Sequence, residues 1–224
     1  MTNPPHSRRQ RLTTPRAAAI AGIIFAVLYG ASLVLIRRSI PSDAAVGDAG
    51  LEPNSRSLRL ALNLVPYAGI AFLWFIGVLR DRLGEMEDRF FATVFLGSGL
   101  LFLAMTFAGA ALAGGLLSSY AIQPRAVLES GVFAYGRDVM VQIINVYAVR
   151  MAGVFMMSLG TIWFRTDLMH RGWAIVTYGL AAVLLLGGGA SLWVSLLFPG
   201  WVFAISSYYL LRNRGVQPQA EAGR

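Results

Sequence analysis

Arg150 is the residue whose place in this chain most demands a chemical explanation. It lies inside a long apolar stretch. An ionisable side chain within a membrane-length segment is costly unless it reaches water, a polar network or an anion. A planar guanidinium suits a lipid phosphate, a substrate carboxylate or an acid on a partner subunit. No Asp or Glu occupies the core of any apolar segment, so no internal ion-pair partner presents itself. Three readings stand side by side. Helical side chains lean toward the helix N-terminus, so Arg150 can snorkel to the nearer interface; it can join a buried polar network; or it can hold an anionic ligand. On the same segment Asp138, Gln142 and Asn145 fall at i, i+4 and i+7. A regular helix puts these on one face, with Arg150 about 80° around from Gln142. Asn63 sits at a comparable depth on an earlier segment. Arg150, Asn145, Gln142 and Asn63 are thus the candidate ligand-binding residues. They can line a water-filled vestibule, or make helix–helix hydrogen bonds worth under ~1–2 kcal/mol in a membrane.

Other chemistry is poorly supplied. There is no cysteine, which excludes disulfides, thiolate nucleophiles and thiolate metal sites. The two histidines, His6 and His170, lie in a tail and a short polar loop. They cannot face each other across a bundle, so the sequence supports no His-rich metal site and no cofactor. The zincin, nucleophile-elbow, phosphate-loop and dinucleotide motifs are absent. Paired carboxylates for acid–base work within a membrane are absent too. No catalytic residue is assigned, and no basic-aromatic array points to nucleic acid.

The elements that position these residues follow from composition. Hydrophobic residues make up 56% of the 224-residue chain and charged residues 13%, against about 25% charged in soluble domains; mean hydropathy is +0.61. A bilayer core needs about 20 apolar residues per helix. The predicted spans are Ala17–Ile36, Leu60–Leu79, Phe91–Leu117, and a fourth ending at Phe164 whose start is blurred by Asp138, Gln142 and Asn145. Two more lie in the charge-free stretch Trp173–Leu211. That stretch can turn at Gly187-Gly188-Gly189 or at Phe198-Pro199-Gly200. The turn near Pro199 is preferred, because it leaves a full-length fifth span and places Pro in the first turn of the sixth. The expected fold is therefore an all-α, six-span transmembrane bundle over residues 17–214, with disordered tails at 1–16 and 215–224. The length of the first block exceeds that of a signal-peptide core, so it is read as an uncleaved helix.

All nineteen basic residues are arginine, as codon bias in a GC-rich bacterial genome would give. With six spans, both termini share a side with Arg80, Arg82, Arg89, Arg165 and Arg171. Twelve arginines fall there and six opposite (Arg37, Arg38, Arg56, Arg59, Arg125, Arg137). The positive-inside rule then makes both termini cytoplasmic, although Arg37-Arg38, directly after the first block, oppose it. The outer segment 37–57 is expected to be irregular, and the outer segment 118–137 to contain a short interfacial helix. The inner loop RDRLGEMEDR reads as a solvated turn. Ala18, Gly22, Ala26 and Gly30 recur every fourth residue, a small-residue stripe for close helix packing, within the chain or in a homo-oligomer.

The segments FLWFIGVLRDRLGEMEDRFFATVFLGSGLLF, MSLGTIWFRTDLMHRGWAIVTYGL and LFPGWVFAISSYYLL resemble a bacterial family of six-helix membrane proteins of unknown function. The resemblance covers about half the chain and implies a fold but no functional residues. The expectation is a multi-pass, non-enzymatic protein of the bacterial cytoplasmic membrane, an accessory, sensing or packing component in contact with the lipid bilayer. The alternative is a small transporter or a carrier of lipid or anion, such as an anionic lipid, with a polar site near Arg150.

Overall fold

The structure, a computed structural model, describes residues 14–39, 55–83, 89–166, 169–188 and 193–214. The tails beyond these, residues 40–54 of the first outer segment, and residues 84–88 of the RDRLGEMEDR loop lie outside the described residues. The elements are α1 (Thr14–Ser39), α2 (Ser55–Leu83), α3 (Arg89–Ile122), α4 (Pro124–Glu129), α5 (Val132–Gln142), α6 (Val149–Thr166), α7 (Arg171–Gly187) and α8 (Leu197–Arg214). A π-helical turn, Ile143–Ala148, joins α5 to α6, and a 3-10 turn, Val194–Leu196, leads into α8. Among the described residues there is no strand. Long apolar segments adopt this form because a helix satisfies its own backbone donors and acceptors where water is lacking. Pro66 lies inside α2, where it removes one backbone donor and leaves the carbonyl four residues earlier to be satisfied by other groups.

Five helices are long and apolar enough to cross a membrane: 16–39, 56–80, 90–122, 132–166 and 194–211. The sixth apolar helix, α7, has 17 residues, roughly 25 Å of helix. His170 caps its start, its Nδ1 accepting from the Gly172 N–H at 3.2 Å.

Two expectations need correcting. The turn in the last apolar stretch is not at Pro199. α7 ends at Gly187, and Pro199 is the third residue of α8, where its missing N–H has no intrahelical partner to lose. The glycine run ends the helix because glycine is the weakest helix former after proline. The fourth apolar segment, whose start the sequence left blurred, is helical through its polar residues. The helix runs unbroken from Val132 to Thr166, with Asp138, Gln142 and Asn145 inside it. The segment 118–137 is nearly all helical, as α3 continues to Ile122 and α4 and α5 follow closely. Gly131, at φ 72°, makes the corner between α4 and α5 in a left-handed conformation that a side chain would resist.

α1 packs between α2 and α8, α3 packs against α2 and α6, and α6 packs on α7. Five helices converge on one aromatic cluster. Phe25 meets Phe72 at 4.6 Å, Phe102 meets Phe198 edge-on at 4.8 Å, and Phe155 stacks on Phe95 at 4.6 Å. All six are buried, and offset or edge-on ring pairs add about 0.5–1.5 kcal/mol beyond burial. Polar links between helices are few and paired: Ser32 Oγ donates to the Ala61 carbonyl at 2.9 Å, and Trp201 Nε1 donates to Thr177 Oγ1 at 3.0 Å. At the end holding the α1 N-terminus, Arg165 lies over Phe91 (4.7 Å) and Arg171 over Phe164 (5.9 Å).

The small-residue stripe of α1 is used within the chain, and only in part. Gly22 and Ala26 are buried, and a Cβ on Gly22 would strike Ser206 Oγ of α8 and come within 3.0 Å of the Phe75 ring of α2. Gly30 has nothing within 4 Å of that position, and Ala18 is half-buried. Gly22→Leu should therefore destabilise the folded protein by roughly 1–3 kcal/mol through overpacking, while Gly30→Leu leaves it near wild type. Thermal unfolding of the two variants in one detergent checks this; equal effects would mean that α1 does not seat on α8 and α2 as described.

Candidate functional site

The end of the bundle opposite the α1 N-terminus is uneven. A Cβ on Gly188, just past α7, would lie 3.5 Å from the Asn145 carbonyl and 3.7 Å from Arg150 Cγ. α7 therefore ends at the depth of Asn145 to Arg150. The neighbouring helix continues to Val132, roughly 20 Å farther, and α1 continues to Ser39. A hollow remains between α1 and α5, closed on a third side by the 3-10 turn. Its volume is about 510 Å3, within the roughly 300–1,000 Å3 of small-molecule sites. Leu33, Val34, Ile36, Arg37 and Arg38 line it from α1, Arg137, Asp138, Met140 and Val141 from α5, Ile144 and Asn145 from the π turn, and Trp193, Ser195 and Leu196 from the approach to α8.

The charges here are unbalanced. Among the described residues, three guanidinium groups line the cavity with one carboxylate. Arg137 donates to Asp138 Oδ1 through Nε (3.2 Å) and Nη2 (3.1 Å), but the Asp138 side chain is 67% exposed, so water screens the pair and its contribution is small. Arg37 is placed differently. Trp193 covers one face of its guanidinium at 4.5 Å, and Nη1 is buried with no hydrogen-bond partner. A buried donor left unpaired costs about 1–3 kcal/mol, more when charged.

The π turn sets the other wall. Asn145 turns inward, and its Oδ1 accepts from Ser195 Oγ at 2.7 Å. Both residues are buried. This bond ties the turn that carries Trp193 to the α5–α6 helix. Ile144, beside it, presses on α3 where Gly109 leaves room, since a Cβ there would sit 2.6 Å from Ile144 Cγ1. π turns in helices concentrate at functional sites.

The four residues singled out in the sequence go to different places. Asn145 lines the cavity. Asp138, at the cavity edge, and Gln142 are both exposed on regular α5; the π turn begins after them, so it is Asn145 that leaves the single face that regular spacing predicts. Asn63 is exposed in a separate shallow groove of about 490 Å3, between α2 and α3, with Arg59 and Ser118. Arg150 is exposed near the midpoint of the 132–166 helix, its stem beside the end of α7, where a cation complements the free carbonyls of a helix C-terminus. Arg37, Arg38 and Arg137 had entered the sequence reading only as charges for orientation. The available signal was Arg37-Arg38 following an apolar block on the side that the positive-inside rule disfavours. Among the described residues no group of His, Cys, Asp or Glu is arranged to hold a metal ion.

No protein-family model, curated protein or solved structure matches the chain.

The Asn145–Ser195 bond should act as a unit. Asn145→Ala and Ser195→Ala should each destabilise the protein, and the double variant should cost less than their sum. The coupling expected is about 0.6 kcal/mol, the average for side-chain hydrogen bonds between membrane helices. A double-mutant cycle by denaturant unfolding measures it; strict additivity would mean that the two side chains do not meet.

Proposed function

We propose that the chain is a six-span protein of the bacterial cytoplasmic membrane, with both termini in the cytoplasm, that binds an amphiphile with an anionic head rather than catalysing a reaction. Five membrane-length helices support the membrane setting. α7 serves as the sixth span. A stretch shorter than the hydrocarbon core is accommodated by local thinning of the bilayer, at fractions of a kcal/mol per Å. The arginine distribution supports the orientation.

The observation that carries the binding reading is the buried, unpartnered Arg37 Nη1 at a cavity of about 510 Å3 whose other walls are largely apolar. Such a site suits a molecule that is charged at one end and greasy at the other, and the bilayer supplies such molecules. The reading moves the anion site from Arg150 to Arg37. The accessory or packing reading has the dry aromatic core in its favour, and it takes over if no amphiphile is found.

Two measurements test this. In the naturally cysteine-free chain, Ala45→Cys should react with an impermeant reagent in intact cells and Gly84→Cys only after permeabilisation. The opposite pattern would overturn the orientation. Protein purified in a mild neutral detergent should carry an anion-headed amphiphile, identified by mass spectrometry of an organic extract, and Arg37→Leu should lose it. Wild-type protein carrying no such molecule, and taking none up on addition, would leave the accessory reading in its place.

A further inference from the structure

We infer that the head-group end of this cavity is built for a phosphomonoester borne on a single hydrocarbon chain. The inference rests on the binding reading above and narrows it to one head chemistry.

The balance of charge comes first. Arg37, Arg38 and Arg137 line the cavity and Asp138 is the one carboxylate among the described lining residues, so these residues carry a surplus of two positive charges. A phosphomonoester carries about −1.5 to −2 at neutral pH and has three terminal acceptor oxygens. A carboxylate offers one charge and two oxygens. A phosphodiester also offers a single charge, and a choline-type head brings a cation that three guanidiniums repel. Of these four heads, the phosphomonoester alone matches both the surplus charge and the number of guanidiniums.

Direction comes second. The indole of Trp193 covers one face of the Arg37 guanidinium. The ring plane then remains for an anion, and the guanidinium N–H groups lie in that plane, in the fork that engages two oxygens at once. Nη1 is buried and unpartnered, so it meets the anion only when the guanidinium swings toward the cavity that the rest of the side chain lines. Arg38 is exposed and free to close on the outer side of the head. Arg137 remains able to donate from Nη1 while its Nε and Nη2 hold Asp138.

The chain comes third. Leu33 and Val34 face Val141 and Ile144 across the cavity. The buried polar pair there, Asn145 and Ser195, is satisfied by its own hydrogen bond at 2.7 Å, so this end asks nothing further of a ligand than apolar contact. A volume of about 510 Å3 is of single-ligand size. It receives the head and the adjoining part of one chain, with the remainder lying along the exposed apolar flank of the bundle.

The test uses the full chain in neutral detergent, with oleoyl lysophosphatidate as the probe. Lysophosphatidylcholine with the same chain, oleate and inorganic phosphate are the comparisons, and binding is read by native mass spectrometry and by competition with radiolabelled probe. Lysophosphatidate should bind roughly tenfold or more tightly than either other amphiphile. That is the low end of what one extra charge-assisted hydrogen bond supplies. Inorganic phosphate should compete only weakly, since it lacks the chain. Arg37→Gln should weaken binding roughly tenfold or more, with Arg37→Lys restoring only part because it lacks the fork. Arg150→Gln should leave it unchanged. If Arg37→Gln does not fold, Arg38→Gln, at an exposed position, should still weaken binding of lysophosphatidate and not of lysophosphatidylcholine. Equal binding of oleate and lysophosphatidate would overturn the head assignment and leave the amphiphile reading standing. Inorganic phosphate binding as tightly as the lipid would overturn the single-chain assignment. Failure of every amphiphile to bind would overturn both the inference and the reading beneath it.

Discussion

A helix in surroundings without water can end only where its last carbonyls find something polar, because each one left bare costs several kcal/mol. α7 ends at Gly187, level with Asn145 and Arg150 of its neighbour, and most of the shape of this end of the molecule follows from that early stop. α1 and α5 overshoot that level, and the space between them, walled by the 3-10 turn before α8, is the cavity. The same stop explains Arg150, whose stem lies beside the end of α7. A cation is favourable near the negative end of a helix dipole, and the exposed Arg150 needs no ligand to account for its charge.

A second departure from regularity lies directly across from the first. The 132–166 helix widens into a π turn at Ile143–Ala148, next to where Gly188 approaches the Asn145 carbonyl. The wider turn lets Asn145 point inward to Ser195 while Gln142 stays exposed. Each irregularity leans on the other. The early stop of α7 brings Ser195 within reach of α5, and the π turn brings Asn145 round to meet it. Trp193, two residues before Ser195, is thereby held over Arg37. A cavity wall assembled from a π turn, a 3-10 turn and two arginine-bearing helix ends has few regular backbone contacts to hold it, so the single buried Asn145–Ser195 bond carries much of its definition.

What could be read from the residues divides along the same line. The apolar segments are legible because helix is the form a long water-free segment takes, and the described helices fall close to the predicted spans. The small-residue stripe of α1 is legible as far as Gly22 and Ala26, because close packing needs small side chains at helical spacing. Spacing alone does not say where the partner helix leaves, which is why Gly30 faces open space. Irregularity defeats periodic reasoning. The face drawn through Asp138, Gln142 and Asn145 assumes 3.6 residues per turn, and the π turn voids it. The choice of Pro199 over the glycine run assumed that every span must reach full length. The structure instead has a short α7 and places Pro199 where a helix tolerates it best. Arg37 was hidden for a different reason: its meaning depends on Trp193, more than 150 residues away in sequence.

Two arginines of this chain sit beside apolar helices, and their surroundings assign them opposite roles. Arg150 is exposed, so its head can follow its stem toward whatever polar medium is near. Arg37 is pinned: an indole lies on one face, and one of its nitrogens is shut away from both water and protein. The cation–π contact returns about 0.5–2 kcal/mol, comparable to the 1–3 kcal/mol or more for the unsatisfied charged donor, so the contact alone gives no clear net reason to bury that nitrogen. Leucine at this position would remove the cost without forfeiting the apolar packing of the side-chain stem. A chain that instead keeps an arginine here, beside two more, holds a site that is under-satisfied until an anion arrives. The buried hydroxyls of Ser39 and Ser206 also lack partners, but they are neutral and forgo less than a charged donor does; among the described residues Arg37 is the unsatisfied group whose charge calls for an anion.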